Sequence, residues 1–289
     1  MPRIRDRIIS ILKELKVPPR LYHYTSQQGL IDILSSRALW STRIQYLNDS
    51  MEFQYALGLL SSAIQGILER VKPKEFQPDA KKMFDIMTRG LESLSGIHIH
   101  VACFSESGDD LNLWRGYCPQ GSKGFSIGFA QAQLFDAASR QECLLAPCIY
   151  DPEKQSELIN ILFYNFFDEL TKAKREGLDI TGMSDDFFLD CIFLACVFKH
   201  PCFKEEHEWR IVTQELPDTH GQIGVRQGKI VPIPYFRFEL VQPEEKLDVV
   251  VVVGPTPEME LSKAAVATLL NHHSCAGAIK SSTVPYREV

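Results

Sequence analysis

Apolar positions recur at helical spacing over residues 3–16, where Ile4, Ile8, Ile11, Leu12 and Leu15 share one face and Pro18-Pro19 close the element. This predicts an amphipathic cap helix. The period then shortens: LYHYT reads as a strand, Ser26 as an N-cap, QQGLIDILSS as a helix and ALWSTR as a second strand. From Asp49 to about Arg70 the helical period returns, with Phe53, Leu57, Leu60, Ile64 and Leu68 in one stripe. Pro73 and Pro78 punctuate a linker before a further helix over about 79–94.

In IHIHVACFSE, Ile97, Ile99, Val101 and Cys103 alternate with His98 and His100, as a strand requires. SGDDLNLWRGYCPQGSKG reads as an irregular polar loop, the kind of connection that hosts sites. Beyond it come the strand GFSIGFA, a short helix, the strand ECLLAPCIY and two helices over about 152–175 and 184–199. EWRIVTQE, KIVPI, FRFEL and KLDVVVVV read as strands, the last fully buried. A helix near 257–271 and a final strand near 278–286 complete the chain. Strands gather at both ends with helices between, without a βαβ rhythm. The expectation is therefore one elaborated α+β domain, with a mainly antiparallel sheet, the cap helix over 1–19 and helical insertions over 50–94 and 152–199.

Composition narrows the classes. The 289 residues are 45% hydrophobic, enough for a large core, and the net charge of −6 argues against a chain-wide basic field for nucleic acid. No run approaches a membrane span, and the charged start MPRIRDRIISILKELKVPP lacks signal-peptide character, so a cytoplasmic protein is expected. The eight cysteines sit mostly in apolar runs and read as reduced core residues.

Two clusters invite a metal reading. His98 and His100 supply two imidazoles with no third ligand, while Cys191, Cys196, His200 and Cys202 lack the tight Cys-x2-4-Cys knuckle. A polar strand face and buried thiols are the ordinary readings, and no metal is expected. Gly-x-Ser-x-Gly, Walker and dinucleotide Gly-x-Gly-x-x-Gly motifs are absent. What remains is polar groups at strand edges: His23 and Thr25, Asn48-Asp49 with Glu52, the Asp109–Arg115 loop, and the acidic run around Trp209. Each taken singly reads as solvated charge, with Arg210 paired to a nearby carboxylate and Asn48-Asp49 as a helix cap.

Taken together, YHYTS, LWSTRIQYLNDSMEF, ACFSESGDDLNLWRGY, KGFSIGFA and KEEHEWRIV resemble, over about residues 20–255, a large bacterial family known as a domain of unknown function. More distantly they resemble the ADP-ribosyltransferase superfamily, which includes DNA-targeting toxins of toxin–antitoxin pairs. That resemblance implies an ADP-ribosyltransferase-like split sheet and NAD as substrate. His23 would bond the adenosine-side ribose, the Tyr24 backbone would hold the nicotinamide amide, and Thr25 would support the strand. KGFSIGFA is similar to a Lys-Gly-aromatic run of poly-ADP-ribose polymerases and places Phe125 or Tyr117 near the nicotinamide ring. Glu206-His207-Glu208 is similar to the Glu-x-Glu of mono-ADP-ribosyltransferases, with Glu208 catalytic and Glu206 orienting the acceptor or serving as its base. The sequence departs from the pattern at Tyr24, where many relatives carry Gly, and in lacking a cleanly placed Tyr for the middle motif.

The chemistry agrees with this choice of residues. Breaking the nicotinamide–ribose bond develops positive charge on the sugar, which a fixed carboxylate stabilises. The diphosphate needs a guanidinium fork, for which Arg43 and Arg115 are candidates. The expected function is an NAD-consuming enzyme, a toxin or anti-phage effector, modifying RNA, DNA or protein, with an antitoxin as a candidate partner. NAD glycohydrolysis is its close variant. A non-catalytic nucleotide-sensing or interaction module is one rival, and a metal-dependent hydrolase or nuclease built on His23, Asp49 and Glu52 is another.

Overall fold

A computed structural model describes residues 17–47, 50–70, 97–117, 124–178 and 183–285. The expected helices over 3–16 and 79–94, and the Asn48-Asp49 pair, lie outside these residues. In chain order the elements are β1 (Arg20–Ser26), α1 (Gln27–Ser36), β2 (Ala38–Arg43), α2 (Ser50–Arg70), β3 (His100–Ser105), α3 (Leu111–Tyr117), β4 (Gly124–Ala130) and α4 (Gln131–Arg140). There follow β5 (Leu144–Pro147), α5 (Pro152–Glu176), α6 (Met183–Val197), β6 (Glu208–Val212), β7 (Ile223–Arg226), β8 (Ile233–Glu239), β9 (Asp248–Val253), α7 (Met259–His272) and β10 (Ala276–Ser281). The fold is α+β.

Contacts divide the chain into two compact units. The helical unit draws its described residues from 44–98 and 148–204. Its α6 is mainly apolar, with Cys191, Ile192, Leu194 and Cys196 buried, and packs against α2 and α5. Gln155 is buried in this unit, accepts from the Tyr55 hydroxyl and donates to the carbonyls of Ile149 and Lys199, so its amide is well satisfied.

The second unit carries the sheet and draws its described residues from 17–43, 99–117, 124–147 and 205–285. Ten strands run β10-β9-β4-β1-β3-β2-β8-β7, with β6 pairing β3 and β5. All described pairs are antiparallel except β9 with β10, which α7 joins by a crossover. Val249 to Val253 on β9 are buried, as their unbroken apolar run predicts. Ser26 caps α1 by accepting from the Gly29 amide at 3.1 Å, as its position suggests.

Three expectations give way. The loop after β3 contains a helix, α3, because the Asp110 carboxylate accepts from the amides of Asn112 and Leu113 and starts it. Residues 229–232 of KIVPI form a turn, and the strand lies earlier, at Ile223–Arg226. Finally, Ile97 and Ile99 precede β3, and His100 is fully buried within it, against the expected polar face.

Candidate functional site

The site grows from a fork in the sheet. Val101 on β3 pairs with Thr42 of β2 and with Val212 of β6, so β2 and β6 flank opposite edges there. At the other end of β3, Ser105 pairs with Tyr22 of β1 and with Glu208 of β6. One edge of β3 thus begins against β2 and ends against β1, and the two neighbours diverge between. Where the ladder opens, the His23 ring takes over: Nδ1 lies 2.8 Å from the Cys103 carbonyl oxygen. A carbonyl only accepts, so Nδ1 carries the proton, and in the neutral ring Nε2 keeps its lone pair. Burial lowers the His23 pKa, and the bond to Cys103 offsets this only in part.

Directly paired residues share a face, which puts Tyr22, Tyr24, Cys103, Ser105, Glu208 and Arg210 on one side of the sheet. Helix α3 lines this side. Its Trp114 meets the Tyr24 ring edge-on at 4.7 Å, and Leu113 and Val252 complete a small core. The Tyr24 hydroxyl donates to the Ser107 carbonyl and accepts from the Asp110 amide. Burial raises its pKa far above the usual phenol range, so it stays protonated. The Tyr22 ring lies between Gly108 and Gly128, where a Cβ on either would approach a ring carbon to 2.4 Å.

Asp109 ties this wall to the segment after β10. Its carboxylate accepts from Trp114 Nε1 at 2.8 Å, Ser282 Oγ at 2.5 Å, and Thr283 N and Oγ1 at 2.7 and 2.9 Å. Burial raises the Asp109 pKa, but these bonds outweigh it and hold the carboxyl below its usual range. Val284 then packs on the Tyr24–Trp114 core.

Across the fork, Glu208 and Arg210 form a buried bidentate pair: Nε to Oε1 is 2.8 Å and Nη2 to Oε2 is 3.1 Å. Glu208 is 4% exposed. Glu206 is not on the strand, contrary to the simple reading of Glu-x-Glu. It ends a short 3-10 turn, and His207, at φ 43°, adopts a left-handed conformation before β6 begins. Such a conformation is uncommon outside glycine and marks a position fixed by its surroundings. Here the surroundings are bonds from Glu106 N to the His207 carbonyl and from Ser105 Oγ to the Glu206 carbonyl.

His23, Tyr24, Tyr117, Glu206 and Glu208 all line one cleft, joined by Ser105 and Leu113. It offers about 60 Å³ to water-sized molecules. One water needs about 10–15 Å³, so the cleft suits several waters or one small planar ring. It brings an imidazole, phenol rings and two carboxyls together, a set suited to a polar aromatic ligand.

The other four nominated residues do not line the cleft. Thr25 packs on α1, where a Cβ on Gly29 would come within 2.0 Å of its Oγ1. Phe125 lies buried on β4 opposite Thr25, on the sheet face away from Tyr24. Arg43 bonds Asp218 at 3.3 Å, and Arg115 is exposed on α3. Ser105 and Tyr22 carry no sequence signal as site-builders, whereas Asp109 is legible in the polar Asp109–Arg115 loop but not as the anchor of residues 282–283.

Among the described residues no three His, Cys, Asp or Glu side chains are grouped to hold a metal ion, and no helix is long and apolar enough to cross a membrane. Asp49 and the Glu52 side chain, on which a hydrolase reading leans, lie outside the description. No curated protein and no solved structure matches the chain, and no comparison connects it to ADP-ribosyltransferases. Residues 113–211, which run from α3 to β6 and carry Tyr117, Glu206 and Glu208 but not His23, match a family described as a protein of unknown function, DUF2971.

Proposed function

We propose that the cleft receives the nicotinamide end of NAD and that the protein consumes NAD, passing ADP-ribose to a macromolecular acceptor. The observation that carries this reading is the meeting of His23 with Glu206 and Glu208 at the β1–β3 fork, from segments some 180 residues apart in sequence. The cleft has room for about one ring, and in this reading the rest of the dinucleotide extends beyond it. Arg115 and Arg43 remain the candidate forks for its diphosphate.

In this reaction the bond from ribose C1′ to the nicotinamide nitrogen breaks, and its electron pair neutralises the pyridinium. A lone pair of the acceptor bonds C1′, and the acceptor's proton passes to Glu206. Glu208, held in place by Arg210, faces the positive charge that develops on the sugar. With water as acceptor the same steps give NAD glycohydrolysis.

One observation favours a second reading, a nucleotide-binding module without catalysis. Arg210 already meets both oxygens of Glu208, so part of the carboxylate's field is spent before any ligand arrives. Calorimetric titration with nicotinamide and with NAD tests what the two readings share. Binding that weakens in Tyr117→Ala and His23→Ala is expected. Absence of binding to the folded wild type contradicts both.

A further inference from the structure

The solvent side of an antiparallel sheet is ordinarily polar, but the β2–β8–β7 end is aromatic and cationic. Ladder pairing puts Trp40 opposite Arg237, Thr42 opposite Tyr235, Tyr235 opposite Gly224, and Ile233 opposite Arg226, so these residues share one face. Leu39, Ser41, Phe236 and Phe238 alternate with them and are buried on the other. The Tyr235 ring lies over Gly224, where a Cβ would come within 2.7 Å of it, and Trp40 stacks on Tyr235 at 4.6 Å and 20°. Trp40 is nonetheless 42% exposed. Two stacked rings therefore end on an indole open to solvent.

Charge on these strands runs against the rest of the chain. Residues 38–43 and 223–239 hold Arg226, Lys229 and Arg237 against one carboxylate, Glu239, in a chain of net charge −6, and a fourth cation, Arg43, alternates to the other face. Arg237 pairs with Glu239, and Arg43 with Asp218. Among the described residues no carboxylate lies within ion-pair distance of Arg226: one guanidinium nitrogen donates to Thr42 Oγ1 at 3.0 Å, and its buried Nε has no described hydrogen-bond partner. A half-buried cation with no described counter-ion, bonded to Thr42 on the strand face that also carries the open Trp40 indole, matches a ligand with both phosphates and unpaired rings.

We propose that this face binds single-stranded nucleic acid, with a base stacked on Trp40 and phosphates held by Arg226 and Lys229. Single strands fit better than duplex because only unpaired bases offer a ring face for stacking. The inference does not rest on NAD cleavage, and its test uses no NAD.

The experiment is fluorescence anisotropy with fluorescein-labelled 20-nucleotide oligo-U and oligo-dT, and a duplex of equal length, at several salt concentrations. Wild type is expected to bind both single strands more tightly than duplex. Trp40→Ala should weaken binding about ten-fold or more, whereas Trp40→Phe keeps most of it. Arg226→Gln should weaken binding and flatten the slope of log affinity against log salt by about 0.7, a change that loss of packing alone does not produce. Melting curves identify any variant that fails to fold, in which case the remaining substitution carries the test. No binding by wild type at low salt overturns the proposal, as does equal binding of duplex or indifference to both substitutions. Self-association abolished by Ile230→Asp, a 96% exposed site in the β7–β8 turn, without oligonucleotide binding would assign the face to protein instead.

Discussion

At the scale of single residues, the buried Glu208–Arg210 pair dominates the energetics of the cleft. Removing one member leaves a buried charge without its partner, so Arg210→Met should cost about 3–5 kcal/mol of stability. Glu208→Met combined with Arg210→Met should recover most of that loss, read from urea unfolding of the two variants, because an apolar pair of similar size needs no desolvation. If the double variant is no more stable than the single, the pair is held by contacts beyond its own charges. His23 makes the second prediction. Its folded pKa lies below the ordinary 6.5, so the unfolded chain takes up the proton first as pH falls. Its contribution is full above pH 6.5 and is lost as pH drops through the lower folded value. His23→Gln, which keeps a donor for the Cys103 carbonyl, should lose less stability between pH 7 and 5 than wild type. An equal loss would place the proton uptake elsewhere. Of these two features, the His was legible in sequence and the pair only as the ordinary expectation for Arg210. No pattern in KEEHEWR reveals that both partners are buried, because burial comes from β3 and β5 on either side of β6.

Elements were readable where their apolar period was long and went astray where local chemistry decided. The runs of α2, α5 and β9 announce themselves through their periodicity. Helix α3 is only seven residues long and owes its start to Asp110, so within a stretch flanked by Gly, Asp and Ser it looks like loop. The clasp between Asp109 and residues 282–283 joins positions about 170 apart, a connection no local pattern can carry. It ties the segment after β10 to the Tyr24–Trp114 core that backs the cleft. Asp109→Ala removes four bonds to a carboxylate and should lower stability by about 2–3 kcal/mol, with faster amide exchange in α3. Unchanged exchange in α3 would mean that Trp114 packing alone fixes the helix. Gly128→Ala probes the same wall from the sheet: its Cβ would sit 2.4 Å from the Tyr22 ring and should cost about 1–3 kcal/mol by overpacking. Its companion Tyr22→Leu should relieve most of that strain.

On the scale of the whole molecule, the sequence order conceals the site. The cleft is assembled within the sheet unit from β1, β3, α3 and the turn before β6, while the chain between them detours twice through the helical unit. Mainly antiparallel α+β architecture follows from the gathering of strands at both ends, but the fork in β3, which makes room for His23, is a matter of pairing and has no sequence signature. Five of the nine nominated residues converge on the cleft, and the four that do not were placed by motif likeness or charge type alone. The arrangement leaves one question above the rest, whether the cleft breaks the nicotinamide–ribose bond. Nicotinamide release from NAD by the purified protein, with and without mixed RNA, DNA and lysate protein, answers it most directly, comparing wild type with Glu206→Gln and Glu208→Gln. Release by wild type, reduced at least a hundred-fold in folded Glu208→Gln, is the predicted result. Binding of NAD with no release under any of these conditions would contradict it and leave a nucleotide-binding module.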